Sequence, residues 1–346
     1  MNIFKDIIKE IGAEFVSIAS EIDETETYVD TGSYIFNALV SGSIFGGVSG
    51  NKITAIAGAT STGKTFFSLA VVKNFLDNHP DGYCLYFDTE SAITKSLLES
   101  RKIDTKRILV ANVATIEDFR SKALKTVDLY LKTKEEDRKP CMIVLDSLGM
   151  LSSNKEIGDA LAEKDSRDMT KAQLIKGAFR MLTLKLGKAK IPMLVTNHTY
   201  DSMSLYGGKQ MSGGSGIQYA ASSIVYLSKA KDKEGTEIVG NIITAKAIKS
   251  RLSKENQDVQ VRLFYDERGL DRYYGLLQLG EIGELWKRSA GRYEFDGKKV
   301  PEKTILANPE KYFTDDVMKK LDEVAKVKFS YGSSGVLEGE VSDEED

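Results

Sequence analysis

The sequence predicts an α/β protein: a mostly parallel central sheet extended by antiparallel strands, with a small N-terminal helix and a small C-terminal α+β unit. Three observations predict it. Between residues 53 and 191, apolar runs of strand length alternate with longer amphipathic stretches. Beyond Ala220 the helical stretches drop out and strand-like runs follow one another across short charged turns. A glycine-rich turn of fixed spacing, GATSTGKT, joins the first apolar run to a helix-forming one.

The chain opens with MNIFKDIIKEIGAEF, where Asp6, Glu10 and Glu14 fall among apolar positions at helical spacing, an amphipathic helix rather than a secretory signal. The polar segment 23–33 lacks that periodicity, so residues 1–30 are expected to form a helix and a linker into the core. The core is expected over 31–274, with strands at 53–57, 83–88, 107–113, 142–147 and 191–197 in a parallel arrangement. Antiparallel strands are expected at 222–230, 239–250 and 259–265. Residues 275–330 begin with helical periodicity, pass through short strands around a DGKK turn, and return to a helix at 313–327. The tail 331–346 is expected to be disordered, its last nine residues being too acidic and apolar-poor to pack.

Those nine residues, EGEVSDEED, hold six acids and no base. The formal net charge of −3 therefore conceals a body with 48 bases and 45 acids. Such a body permits nucleic-acid binding without requiring it. The tail itself reads either as a tethered polyanion competing for the basic body or as an inert solubilising extension. No apolar stretch reaches the roughly 20 residues that span a bilayer. Cys84 and Cys141 sit inside apolar runs and read as core thiols in a reducing compartment, and two histidines, His79 and His198, are too few to suggest a zinc cluster.

GATSTGKT (Gly58, Ala59, Thr60, Ser61, Thr62, Gly63, Lys64, Thr65) fits the phosphate-cradling pattern GxxxxGK[ST] in full, between a strand and a helix that begins with Phe66. Its backbone N–H groups and the helix N-terminus suit phosphates. Lys64 would reach the β- and γ-phosphates of ATP and Thr65 would ligate Mg²⁺. The run MIVLDS places Asp146 at a strand's carboxyl end, where a carboxylate would hold the same ion's water shell opposite Thr65. YCLYFDTE ends a strand near Glu90, which would either orient and deprotonate an attacking water or, with Asp88, cap the next helix. His198 follows the last parallel strand, as a γ-phosphate contact or a structural residue. The segment 201–216, with five glycines, reads as a mobile loop whose apolar side chains suit insertion between bases. The charged segment 152–173 reads as a solvated helix or as the lining of the same nucleic-acid channel. Lys249 and Arg251, two apart, would project from one side of a strand, as a solvated edge or as cations acting on a neighbouring subunit's ATP.

These segments resemble the RecA-type recombinases, and most closely the UvsX recombinases of tailed bacteriophages. The resemblance runs from about Thr31 to Val327 and implies a RecA-like phosphate-loop ATPase core. FDTE resembles the family's catalytic segment, which implies a general-base role for Glu90. SLGMLSSNKEIGDALAEKDSRDMT and NHTYDS followed by GGKQMSGGSGIQYAAS resemble its two DNA-binding loops. They imply DNA contacts from Arg167, Lys171, Met203, Leu205, Tyr206, Lys209, Met211, Gly213 and Gly214. His198 stands where RecA has glutamine and the phage branch histidine, which implies a sensor role. Lys249 and Arg251 match the basic pair that acts across the filament interface, the second being lysine in RecA. Leu97 stands where RecA stacks a tyrosine on adenine.

The function implied is that of an ATP-dependent homologous recombinase: a DNA-dependent ATPase that forms a helical filament on single-stranded DNA and exchanges strands with a duplex. Mediator and single-strand-binding proteins are expected partners, no membrane is involved, and the expected location is the cytoplasm of an infected bacterium. Two alternatives share the core: a hexameric helicase, for which only about 30 residues precede the core where a further domain is usual, and a regulator that binds ATP but not DNA.

Overall fold

The computed structural model describes residues 3–11, 27–164, 170–201, 209–295 and 297–332. After the helix Ile3–Ile11, whose Ile3, Phe4, Ile7 and Ile11 are exposed in the single chain, β1 (Tyr28–Val29) pairs with β2 (Val48–Ser49) across the helix Tyr34–Ser41. The main sheet follows: β3 (Ile53–Gly58), β4 (Tyr83–Asp88), β5 (Ile108–Asn112), β6 (Cys141–Asp146), β7 (Met193–Asp201), β8 (Lys209–Met211), β9 (Ser223–Glu234), β10 (Glu237–Ser250) and β11 (Asp258–Phe264). Its order is β11-β10-β9-β3-β7-β6-β4-β5, with β8 paired to β7. The six strands from β9 to β5 run parallel; β10, β11 and β8 join antiparallel.

The apolar runs of β3, β4 and β6 form the centre of the sheet, where both faces are covered. Successive residues divide between two cores. Tyr86, Val144 and Leu194 pack with Phe67 and Val71 of the helix Lys64–Asn78, while Phe87, Leu145 and Val195 pack with Phe119 of Ile116–Lys132 and Phe179 of Lys171–Ala189. All six positions of β3 and of β6 are buried, and the edge strand β5 exposes Leu109 and Val110. Cys84 and Cys141 are free, buried thiols, as expected.

The C-terminal unit consists of the helix Leu276–Ile282, a small sheet of β12 (Arg288–Ser289), β13 (Arg292–Phe295) and β14 (Lys298–Pro301), and the helices Glu302–Ala307, Pro309–Tyr312 and Asp315–Phe329. The hairpin forms at the expected DGKK turn, whose Asp296 lies outside the described residues. Trp286, Tyr293, Phe313, Met318 and Leu321 belong to the same buried cluster as the helix Tyr34–Ser41 and the antiparallel strands, so the unit is packed onto the core. Asp322 adds a polar stitch, accepting from Ser43 Oγ at 2.5 Å and from the Ile44 N–H at 2.9 Å. Among the described residues no helix is long and apolar enough to cross a membrane.

Candidate nucleotide site and nucleic-acid loops

The phosphate loop is the turn between β3 and the helix Lys64–Asn78. Gly63 caps that helix in the left-handed region at φ +91°, a backbone conformation that favours glycine, and a Cβ there would press on Leu263 Cδ2 at 3.0 Å. Ala59, Thr60 and Ser61 are exposed at the tip; Thr62 is buried, its Oγ1 donating to the Ala59 carbonyl at 2.9 Å. Lys64 Nζ donates to the carbonyls of Gly58 and Ala59 at 3.0 and 2.9 Å. Burial pulls its ammonium below the ordinary lysine range, and the charges of Asp146 and Glu90 oppose that pull. Phe66 carries the Arg101 guanidinium 4.4 Å above its ring centre.

Register brings the remaining groups to the loop. Asp88 and Asp146 are partners at the ends of β4 and β6, and Gly58 pairs with His198 of β7. Asp146 Oδ2 accepts from Thr65 Oγ1 at 2.8 Å and from the Tyr86 hydroxyl at 2.7 Å, and Oδ1 accepts from Thr196 Oγ1. Glu90 Oε1 accepts from Ser147 Oγ at 2.9 Å and lies 3.3 Å from His198 Nε2. Asp88 ties the turn, accepting from the N–H groups of Glu90 and Ile93, and Thr94 caps the helix Lys95–Ser100. Glu90 is thus no helix cap; its carboxylate is turned instead toward Ser147 and His198 through Oε1. The loop amides, a buried ammonium and the Thr65–Asp146 pair fit a nucleoside triphosphate with a divalent cation.

The segment expected to be one long loop instead starts and ends as a ribbon. Thr199 pairs with Met211 and Asp201 with Lys209, and the Ser212 N–H donates to the His198 carbonyl at 2.9 Å. Asn197, fully buried, donates through Nδ2 to the Ser212 carbonyl at 2.9 Å and accepts from the His198 N–H at 2.8 Å. Met211 is corrected as a base-inserting candidate: its side chain, 3% exposed, packs into the core with Leu148 and Ile175, because ribbon pairing turns it inward. Gly213 and Gly214, at φ +82° and +73°, make the turn that follows, and Lys209 is exposed. Lys171 lies 3.3 Å from Glu156, which also closes a capping box with Ser153 on the helix Asn154–Leu161, so that part of the charged segment is a capped helix. Arg167, Met203, Leu205 and Tyr206 lie outside the described residues.

Lys249 and Arg251 do converge on one feature, for a different reason than strand alternation. A bulge falls between Ala247 and Lys249, and β10 ends at Ser250, before Arg251. Lys249 Nζ reaches the carbonyls of Gln218 and Ala221, and Arg251 Nη2 that of Tyr219 at 3.4 Å, all at the end of the helix Gly216–Ala220. Burial and the Arg251 charge hold the Lys249 ammonium below its ordinary range. Lys249 pairs with Ile224, which pairs with Ala55, and the Arg251 N–H donates to Ser222, beside Ile53. The two cations therefore lie toward the start of β3, while the phosphate loop lies at its end; the strand itself spans roughly 16 Å.

Sequence reasoning missed Tyr86, Thr196, Ser147 and Asn197, the hydroxyl and amide groups that hold Asp146, Glu90 and the ribbon. Their signal was faint: single polar groups inside or just past apolar runs.

A phosphate loop on a nine-stranded sheet, with a strand-end aspartate and a glutamate beside it, defines a RecA-like ATPase core. The chain belongs to the RecA family: residues 2–271 match the RecA N-terminal domain. It is 32% identical over 276 residues to the recombination and repair protein of Enterobacteria phage T4, covering 80% of this chain and 69% of that protein. Identity to protein RecA of Clavibacter michiganensis is 25% over 309 residues, covering 87% and 79% of the two chains. For protein RecA of Desulforapulum autotrophicum the values are 26% over 274 residues, 78% and 75%.

Proposed function

We propose that this chain is an ATP-dependent homologous recombinase that polymerises on single-stranded DNA and exchanges strands with a homologous duplex. The observation that supports this most is the contact between Glu90 and His198. It joins the catalytic end of the phosphate site to β7, the strand that runs on into the glycine-rich segment. A γ-phosphate beside Lys64 would be met by both side chains, so its presence would be felt in the ribbon through His198 and Ser212.

In hydrolysis Lys64 neutralises phosphate charge. Glu90 Oε2, which takes no part in the bonds to Ser147 and His198, accepts the proton of the attacking water. Thr65 and Asp146 would hold Mg²⁺, which supplies further charge neutralisation at the phosphates. Lys249 and Arg251, remote from their own phosphate loop, serve the nucleotide of the adjacent subunit. ATP then favours the extended DNA-binding form and hydrolysis releases it. DNA contacts are made to the backbone and by stacking, hence are salt-sensitive. Mediator and single-strand-binding proteins are the partners proposed, in the cytoplasm of an infected bacterium.

Electron microscopy of the protein with ATP and single-stranded DNA tests the reading. Helical filaments are expected. Closed rings would favour the helicase, and an absence of any DNA-bound assembly would favour the regulator.

A further inference from the structure

Tyr86 lies within β4, 0% exposed, in a cluster whose strand neighbours Val144 and Leu194 are apolar. Phenylalanine would fill that space without a polar atom to satisfy, since a buried hydroxyl is costly unless bonded. The hydroxyl has a partner, Asp146 Oδ2 at 2.7 Å. Burial and the neighbouring Asp146 charge push the phenol well above the ordinary tyrosine range, so it is a donor at neutral pH. Thr196, also 0% exposed, donates to the other oxygen, and Thr65 shares Oδ2 at 2.8 Å.

Three hydroxyl hydrogens thus converge on one carboxylate, which offers about four acceptor positions. Two come from buried strand residues outside the phosphate loop, and together they fix the carboxylate plane about its Cβ–Cγ bond. The consequence reaches Thr65. With its hydrogen directed at Asp146, its oxygen lone pairs face away from the carboxylate, the orientation a hydroxyl needs to ligate a cation.

We propose that Tyr86 and Thr196 are positioning residues, a pair of hydroxyls that lock Asp146 so that it orders Thr65 as a ligand of the divalent cation accompanying the nucleotide. This rests on the nucleotide-binding part of the function proposed above. Neither residue touches the nucleotide; both act through Asp146.

The test uses the full chain and its Tyr86→Phe and Thr196→Val variants, titrated with a fluorescent ATP analogue in Mg²⁺ and in EDTA, with thermal melting run beside each. The ratio of the two affinities measures the coupling between cation and nucleotide. Each variant is expected to lose about tenfold of that ratio, as supporting ligands of metal sites do. Affinity in EDTA, set by the loop amides and Lys64, is expected to match the parent. A parental ratio in both variants overturns the proposal, and so does an equal loss with and without Mg²⁺, which would mark general damage to the site. If Tyr86→Phe fails to fold, Thr196→Val decides alone. A parent that binds no nucleotide overturns both this and the reading beneath it, whereas a parent with Mg²⁺ coupling and unaffected variants overturns only the positioning role.

Discussion

At the carboxyl end of the parallel strands, Thr65, Asp146 and Glu90 are held by side chains from other strands and their connections, whereas toward the amino end Lys249 and Arg251 rest on the backbone carbonyls of a five-residue helix. The first group is preorganised: its carboxylates are already aimed and need little rearrangement. The second is uncommitted, because exchanging a neutral carbonyl for a phosphate oxygen turns a dipolar contact into a charged one. One copy of the chain therefore carries an aimed set of side chains at one end and an adaptable basic pair at the other, and under the function proposed above the two would meet between copies.

The largest expected effect tests the aimed set. Glu90→Gln should bind ATP and DNA while hydrolysis falls at least about 100-fold; hydrolysis at the parent rate would show that Glu90 is not the base. Lys249→Ala with Arg251→Ala should abolish DNA-stimulated hydrolysis while nucleotide affinity of the monomer stays unchanged. Mixing that protein with Glu90→Gln protein sharpens the comparison, since interfaces that pair an intact Glu90 with an intact basic pair should recover part of the activity. No recovery despite demonstrated co-assembly would place the cations outside the neighbour's site.

A smaller pair of effects separates the ribbon from the segment beyond it. Met211→Ala should cost about 2–4 kcal/mol of stability by opening a cavity, read by denaturant unfolding. Tyr206→Ala should weaken single-stranded DNA binding by about 1–3 kcal/mol, the range for one stacked base. Unaltered DNA affinity would remove Tyr206 from the interface. The smallest effect is expected from the tail: deleting residues 338–346 changes the formal charge from −3 to +3 and should strengthen duplex binding at low salt. Coincident binding curves for full-length and truncated protein at every salt concentration would make the tail inert.

The parallel sheet was legible because a strand covered on both faces must be largely apolar, and β3, β4 and β6 are, up to their carboxyl ends. Asp146 and Glu90 were legible because each closes or follows such a run. The ribbon was not: glycine-rich sequence looks the same whether it is free or paired, and only the register of Thr199 with Met211 reveals which way Met211 turns. Tyr86 was hidden for the opposite reason, since a tyrosine in an apolar strand gives no hint that its hydroxyl reaches an aspartate 60 residues later. For Lys249 and Arg251 the alternation rule did not apply, because β10 ends at Ser250 and Arg251 lies beyond the strand, a boundary that sequence does not announce.

The stitch from Asp322 to Ser43 and Ile44 has a bearing on how the chain is made. Seven of the eight residues of the helix Tyr34–Ser41 are buried, partly beneath the helix Asp315–Phe329, and Ser253 and Lys254 bond to Leu39 and Phe329 on either side. Synthesis proceeds from the N-terminus, so Phe36 and Leu39 emerge from the ribosome nearly 280 residues before the helix that helps cover them. Throughout translation this surface waits for its lid, and a transcript cut short before residue 315 would yield a chain with an intact phosphate loop and a persistently sticky face, a substrate for chaperones and proteases rather than for assembly.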